Sequence, residues 1–567
     1  MKFSEIKYLR PNLEEFIEKL KALTGRLIAA ESFYDADAIF DESEALSVNI
    51  ETMFTIAMIR HNIDTTDKFY DDEAQYIDEK TPIIEEVNQS FIYALYNSKF
   101  KPEFEKKYGS LIFKRIEIAL KTFSPEIIEE LQEENKLITE YGKLLASAQI
   151  MFNGELRTLS QMTPYKQSPD DTVRRAAWEA EGSFYIENGE KLDKIYDELV
   201  HLRDKIAKKL GYKNYIELGY YRLSRDCYNK DDVELFRKSV REHLVPVAAK
   251  LYQSQAKRLG VEYPMNFADA ALNFRLGNPK PQGSPDDILN HSKKFYHELS
   301  GETTEFINHM FDDELFDVLS KKGKAGGDFC TFLPAFKSPF IFANFNGTAH
   351  DVEVMTHEAG HAFAFYTAKD IYPSAYRQPT LESCEVHSMT MEFFAWSWAE
   401  GYFGKDTNKF KYNHIGGALT FIPYGTMVDH FQHIVFENPD LTPAQRHEEW
   451  TKLLGIYMPW MKLGEIAFYG DGKGWQRQMH IYQRPFYYID YCLAQTVALQ
   501  YWAMMQTARN EAWERYMRFV TKGGTKTFTE LVDTAGLVVP FGDVFGGKMI
   551  KTVTDWIENF ENTVMLE

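Results

Sequence analysis

The stretch that most limits how this chain can fold is His357-Glu358-Ala359-Gly360-His361. A helix brings histidines four positions apart onto one face, where their rings can share a metal ion with a carboxylate beside it. The flanks permit that helix. Asp351 to Thr356 and Ala362 to Tyr366 carry apolar residues at helical spacing without proline, which predicts a helix from about Asp351 to Lys369. Two imidazoles and a base are half of a zinc site, so the fold must deliver a third ligand to the same point.

The longer pattern H-E-x-x-H-x-x-G-x-x-H does not continue here, because Ala364 and Thr367 stand where its glycine and last histidine would be. The third ligand is then sought in a downstream glutamate. Leu381 to Trp398 reads as a second helix and offers Glu382, Glu385, His387 and Glu392. Spacing alone leaves Glu382 and Glu385 both open. Glu392 lies seven residues after Glu385, near the same face, and is placed to orient a ligand imidazole. Glu353, four before His357, is a weaker candidate for that task.

The run HEAGHAFAFY followed by ESCEVHSMTMEFF resembles the thimet oligopeptidase and oligoendopeptidase F family of zinc metallopeptidases, most closely the oligoendopeptidase F branch. The likeness extends upstream through Ser338 to Thr348 and downstream through His480 and Pro485 to Tyr491. It implies that the third ligand is Glu385, the first glutamate of an E-x-x-S-x-x-x-E pattern ending at Glu392, and that one Zn2+ is bound per chain by His357, His361 and Glu385. Glu358 is then the catalytic base. The resemblance also gives His480, Tyr488 and Tyr491 the task of stabilising an oxyanion, with Tyr487 as an alternative. The interval from His480 to the tyrosines is one residue shorter than in the thimet branch, and Arg484-Pro485 replaces a Gly-Tyr found there. A mainly α, neurolysin-like fold is implied, two helical lobes around a deep channel with a small β-sheet beside the active-site helix. So is a restriction to short unfolded peptides.

Ahead of the motif, Phe329 to Leu333 and Phe340 to Phe345 are β-branched and aromatic runs broken by Pro334 and Pro339, which predicts short strands. An edge strand there could hold an extended peptide by strand addition, and the resemblance implies the same, making Ala343, Asn344, Phe345 and Gly347 candidate substrate-binding residues. From Asn12 to about Ile150 apolar residues recur every three or four positions amid charge, predicting packed helices. Asn153-Gly154 predicts a hairpin, and Ser168-Pro169-Asp170-Asp171 a helix start. The Pro- and Gly-rich residues 277–285 read as a surface connection. His430 and His433, on another helical stretch, lack an accompanying carboxylate motif and read as packing histidines. Gly470 to Gly474 reads as a mobile loop suited to a lid. Two regions are expected, an amino-terminal helical one over 1–200 and a catalytic one over 201–567, both contributing to the channel walls.

Charge narrows the partners. With 64 basic against 84 acidic residues the net charge is −20, which argues against nucleic acid. No segment has the apolar run of a membrane span or signal peptide, and Cys227, Cys330, Cys384 and Cys492 form no C-x-x-C pair, so a cytoplasmic protein with reduced thiols is expected, as monomer or small homo-oligomer. The expected activity is metalloendopeptidase action on short peptides. Its rivals are a dipeptidyl carboxypeptidase of the same family and a noncatalytic helical peptide-binding scaffold. The scaffold leaves Glu358 without a role and a three-ligand metal site without a reason, since structural zinc normally has four protein ligands.

Overall fold

The computed structural model describes residues 1–321, 323–345, 347–542 and 544–563; Asn346, within the upstream stretch quoted above, lies outside them. The chain is mainly α-helical, with three small sheets among the described residues. It forms two compact units, each drawn from three stretches. The first comprises Met1–Leu120, Lys280–Gly404 and Met504–Leu537, the second Lys121–Pro279, Lys405–Ala503 and Val538–Glu567.

In the first unit the helical periodicity read from sequence becomes a core. Leu13, Phe16, Leu20, Leu23 and Leu27 line the buried side of helix Leu13–Ala29, whose start is capped by Asn12 accepting from the Glu15 N–H. They pack with Ile39 and Phe40 of helix Phe33–Ile63 and with Val87 and Phe91 of helix Lys68–Tyr96. The same unit holds a three-stranded sheet. Ser338–Phe345 is its middle strand, parallel to Phe316–Leu319 on one side and antiparallel to Phe329–Leu333 on the other. Lys337, at φ 49°, turns the chain between the antiparallel pair. The middle strand is buried along nearly its whole length, which suits a continuous apolar and aromatic run better than an alternating one. Helix Ala349–Ala368 packs on this sheet and on helix Leu381–Phe394.

In the second unit the predicted hairpin is present: Ile150–Phe152 pairs with Glu155–Arg157, and Asn153 and Gly154 take φ of 52° and 80°. Asp170 caps helix Asp171–Glu187 as its sequence predicts. His430 and His433 lie on helix Thr407–Glu437 and are bound within the protein, His430 to the Tyr457 hydroxyl at 3.1 Å and His433 to the Tyr220 hydroxyl at 3.0 Å. In the Gly470–Gly474 segment, read from sequence as a mobile loop, the space around two of the glycines is closely filled. A Cβ on Gly470 would meet the Gly464 carbonyl at 2.6 Å, and one on Gly472 the Thr451 hydroxyl at 2.3 Å and the His447 carbonyl at 2.9 Å. Close approach of backbone accounts for glycine at both positions, and at Gly472 a φ of 71° does so as well.

Candidate metal centre

Helix Ala349–Ala368 begins where the middle strand ends. Gly347, at φ 82°, donates its N–H to Asp351 at 2.7 Å, so the acid in the helix's first turn fixes the bend and complements its amino terminus. Two turns on, the rings of His357 and His361 stand 5.0 Å apart at 84°. Helix Leu381–Phe394 crosses behind them, and the reason for Gly360 is there: a Cβ at that position would lie 2.7 Å from the Ser388 Cα and 3.0 Å from the His387 carbonyl. Any larger residue would hold the two helices apart.

That approach carries Glu385 to the histidines. Its Oε2 lies 3.3 Å from His357 Nε2 and 3.5 Å from His361 Nε2. Glu382, which spacing left open, instead accepts from the Thr380 hydroxyl and is buried away from the imidazoles' grouping. Among the described residues, His357, His361 and Glu385 form the only group of three such side chains able to hold one ion, their donor atoms all within 4.8 Å of one another. Tetrahedral zinc with bonds of about 2.05 Å needs neighbouring donors roughly 3.3 Å apart. Both carboxylate distances meet that, so the residues fit the metal.

The surroundings orient these donors. Glu392 Oε1 lies 2.6 Å from His357 Nδ1, which puts a proton on Nδ1 and leaves the Nε2 lone pair directed at the site. The Ser388 hydroxyl lies 3.2 Å from Glu385 Oε2 and 3.0 Å from the Glu385 carbonyl, steadying the carboxylate from its own helix. Tyr296 donates to the Met355 carbonyl at 3.2 Å and Tyr516 to the His387 carbonyl at 2.9 Å, tying both helices to the unit around them. Neither Gly360 nor Ser388 was singled out from sequence. Their signals are present but thin: a glycine inside a helical pattern, and the serine of E-x-x-S.

The electrostatics match a cation site. Burial works against a charged His357, yet Glu385 and Glu392 together hold its pKa well above the ordinary imidazole value, so the two carboxylates favour positive charge at this ring and a metal ion would compete with a proton for Nε2. Burial likewise opposes ionisation of Glu385, and His361 and His357 overcome it, keeping that carboxyl far below the usual range. Glu358 behaves oppositely. Burial raises its pKa more than the two histidines lower it, which suits a group that must take up a proton. His387 is buried beside Phe519 with its pKa lowered to about 3, first by burial and then by His361, so it is neutral.

Other expected residues fall as follows. Glu353 is half-exposed and lies 3.8 Å from His350 Nδ1, directed at that histidine. Ala343 and Phe345 have buried side chains in the middle strand and could meet a ligand only through backbone. The Asn344 side chain donates to the Ala325 and Gly327 carbonyls, both at 2.9 Å. The sheet's edges are Phe316–Leu319 and Phe329–Leu333, so Ala343, Asn344 and Phe345 stand on the middle strand and not on the edge expected for strand addition. In the second unit, His480 stands 5.1 Å from the Tyr488 ring and 5.8 Å from that of Tyr491, and Tyr487 is 4.8 Å from Tyr491. Gln478 Nε2 bonds His480 Nδ1 at 3.0 Å, and Gln478 Oε1 accepts from the Tyr424 hydroxyl at 2.9 Å. Tyr488 and Tyr491 are partly exposed and Tyr487 is buried. All four cysteines are free, and burial pushes the Cys384 thiol up to about 12. No helix among the described residues is long and apolar enough to cross a membrane.

A mainly helical protein that gathers the two histidines of H-E-x-x-H and a glutamate from the next helix has the architecture of a metallopeptidase. Residues 3–123 match the peptidase M3 N-terminal domain, residues 164–272 and 287–546 match peptidase family M3, and the chain belongs to that family. It is similar to PZ peptidase A, solved with an inhibitor, at 45% identity and TM-score 0.94 over 98% of this chain and 99% of that one. A Bacillus anthracis structure provisionally described as an oligoendopeptidase F matches at 42% identity and TM-score 0.89, over 100% and 98%. An oligoendopeptidase F homologue from Borreliella burgdorferi is 24% identical over 72% of this chain and 70% of its own. The family resemblance carried by the motifs therefore holds.

Proposed function

We propose that this chain is a zinc-dependent oligoendopeptidase that hydrolyses internal bonds of short, unfolded peptides. The observation that carries the reading is the convergence of His357, His361 and Glu385 on one point, with Glu358 on the same helix as the histidines and its pKa raised. Zinc held there supplies a Lewis acid that makes water more acidic and polarises a carbonyl. Glu358 accepts the proton of the attacking water and passes it to the departing amine, so no bond forms between enzyme and substrate. Glu392 keeps the His357 proton on Nδ1 throughout. Tyr488, Tyr491 and His480 are the donors for the oxyanion, each such donor worth roughly 10²–10³ in rate. Relatives named as oligoendopeptidase F support the endopeptidase reading over removal of dipeptides from a carboxyl end.

Mass-spectrometric mapping of cuts in a mixed peptide library tests this, using wild type with and without chelator and the Glu358→Gln variant. Internal cuts that persist when peptide carboxyl ends are amidated, and that vanish with chelator, are expected. Glu358→Gln should retain zinc and lose at least about 10³-fold in kcat. Full activity in that variant rules out the base, and cleavage that requires a free carboxyl end rules out the endopeptidase.

A further inference from the structure

Beneath the tyrosine cluster of the second unit lies an ion pair that the chemistry above does not use. Asp490, between Tyr488 and Tyr491 in sequence, sits in the first turn of helix Tyr488–Val520 and is wholly buried, whereas the two tyrosines are partly exposed. Arg225 Nη2 donates to Asp490 Oδ1 at 2.8 Å, and the Tyr228 hydroxyl donates to the same oxygen at 2.9 Å. The Arg225 nitrogen that reaches Asp490 also donates to the Phe486 carbonyl. One guanidinium thus grips the chain on both sides of the point where the helix begins.

That point is strained. Phe486 has φ 68°, a region an aromatic residue rarely occupies. Its N–H donates to Gln432 Oε1 at 3.0 Å, and its ring is packed among Tyr220, His433 and Phe436. A Cβ on Gly219 would stand 2.7 Å from that ring. Arg225 is itself held over the Tyr220 ring at 4.2 Å, and Tyr220 is bonded to His433.

A buried ion pair adds little net stability compared with apolar residues of the same shape. Here the site opposes the charge: burial pushes the Asp490 carboxyl up to about 6 against the pull of Arg225 and Tyr228. What such a pair does supply is direction, because charge-assisted hydrogen bonds act along fixed lines. We propose that Arg225, Asp490 and Tyr228 are positioning residues that set the orientation of Tyr488 and Tyr491 relative to His480 by fixing the start of their helix. The proposal rests on the reading of those side chains as oxyanion donors.

The test uses the full-length, zinc-loaded protein with Asp490→Asn, which keeps the shape and removes the charge. An internally quenched peptide gives kcat and KM, metal analysis gives zinc content, and the His480 ring resonance reports on the cluster without requiring activity. The expected result is a fall in kcat of roughly ten- to a hundredfold with KM and zinc content unchanged, and a displaced His480 resonance. In a Tyr488→Phe/Tyr491→Phe background the same substitution should cost less than about twofold, because residues acting through one another are not additive. A lowered Tm with wild-type kcat and an unmoved resonance overturns the proposal, and so does an undiminished cost in the double-Phe background. Should Asp490→Asn not fold, Tyr228→Phe removes one hydrogen bond and leaves the ion pair. About a threefold fall in kcat with a displaced resonance supports the role, and no change in either overturns it. If the wild type cleaves no peptide, the functional reading fails separately, and the resonance still decides the positioning claim.

Discussion

The division of labour around His357 is set by single atoms. Glu385 approaches Nε2 and Glu392 approaches Nδ1, so the two carboxylates act on opposite edges of one ring. Glu392→Gln should therefore weaken zinc binding by roughly 10–100-fold, read by competition with a chelator, because the imidazole loses its charged hydrogen-bond partner. Glu353→Gln, half-exposed beside His350, should leave zinc affinity unchanged in the same measurement. His350 gives a pH prediction. Asp328 at 2.9 Å, then Glu353, raise its pKa to about 10 against burial, from about 6.5 in the unfolded chain. With the folded value raised, its contribution is fully present below about pH 6.5 and lost as pH rises through about 10. Denaturant melts of wild type and His350→Gln should thus differ at pH 6 and converge by about pH 10. Residue identities of this kind were partly legible. The spacing of H-E-x-x-H named His357, Glu358 and His361, but the choice of Glu385 over Glu382 needed the family pattern, because both lie on one helix and only the fold shows which of them reaches the imidazoles.

Between elements, the spacing of helices Ala349–Ala368 and Leu381–Phe394 is fixed at Gly360. Gly360→Ala should lower zinc affinity and Tm together, since the added methyl would sit 2.7 Å from the Ser388 Cα and force the donor sets apart. A loss of 1–3 kcal/mol, about the usual cost of overpacking, is expected in chemical denaturation. An unshifted midpoint and normal zinc content would show that the helices part at no cost. Sequence predicted both helices and the strands from periodicity and β-branched runs. It gave no sign that they touch through main chain, because contact between elements leaves only a lone small residue as its trace. The Gly470–Gly474 segment shows the same ambiguity in reverse. Glycines there read as mobility, yet the space around Gly470 and Gly472 is already occupied.

At the scale of the whole molecule, the proposed zinc ligands all belong to the unit that also contains the amino-terminal helices, while His480 and the tyrosines belong to the other. Chelation should therefore loosen residues 349–394 first. Hydrogen exchange is expected to accelerate in those two helices, with little change in the Ile150–Arg157 hairpin, and activity to return on adding zinc. Uniform acceleration across both units would contradict this. The helical class was plain in the sequence, because apolar residues at three- and four-residue intervals dictate packed helices. The interleaving of three stretches in each unit was not, since periodicity describes a segment's own face and says nothing about which distant segment will cover it.

The contact at Gly360 has a consequence for how this centre could be altered. The width of the opening between the paired imidazoles and their acidic neighbour is inherited from main chain resting on main chain. Exchanging a ligand side chain changes which atom arrives at the cation; the breadth of the cradle stays where the crossing helices put it.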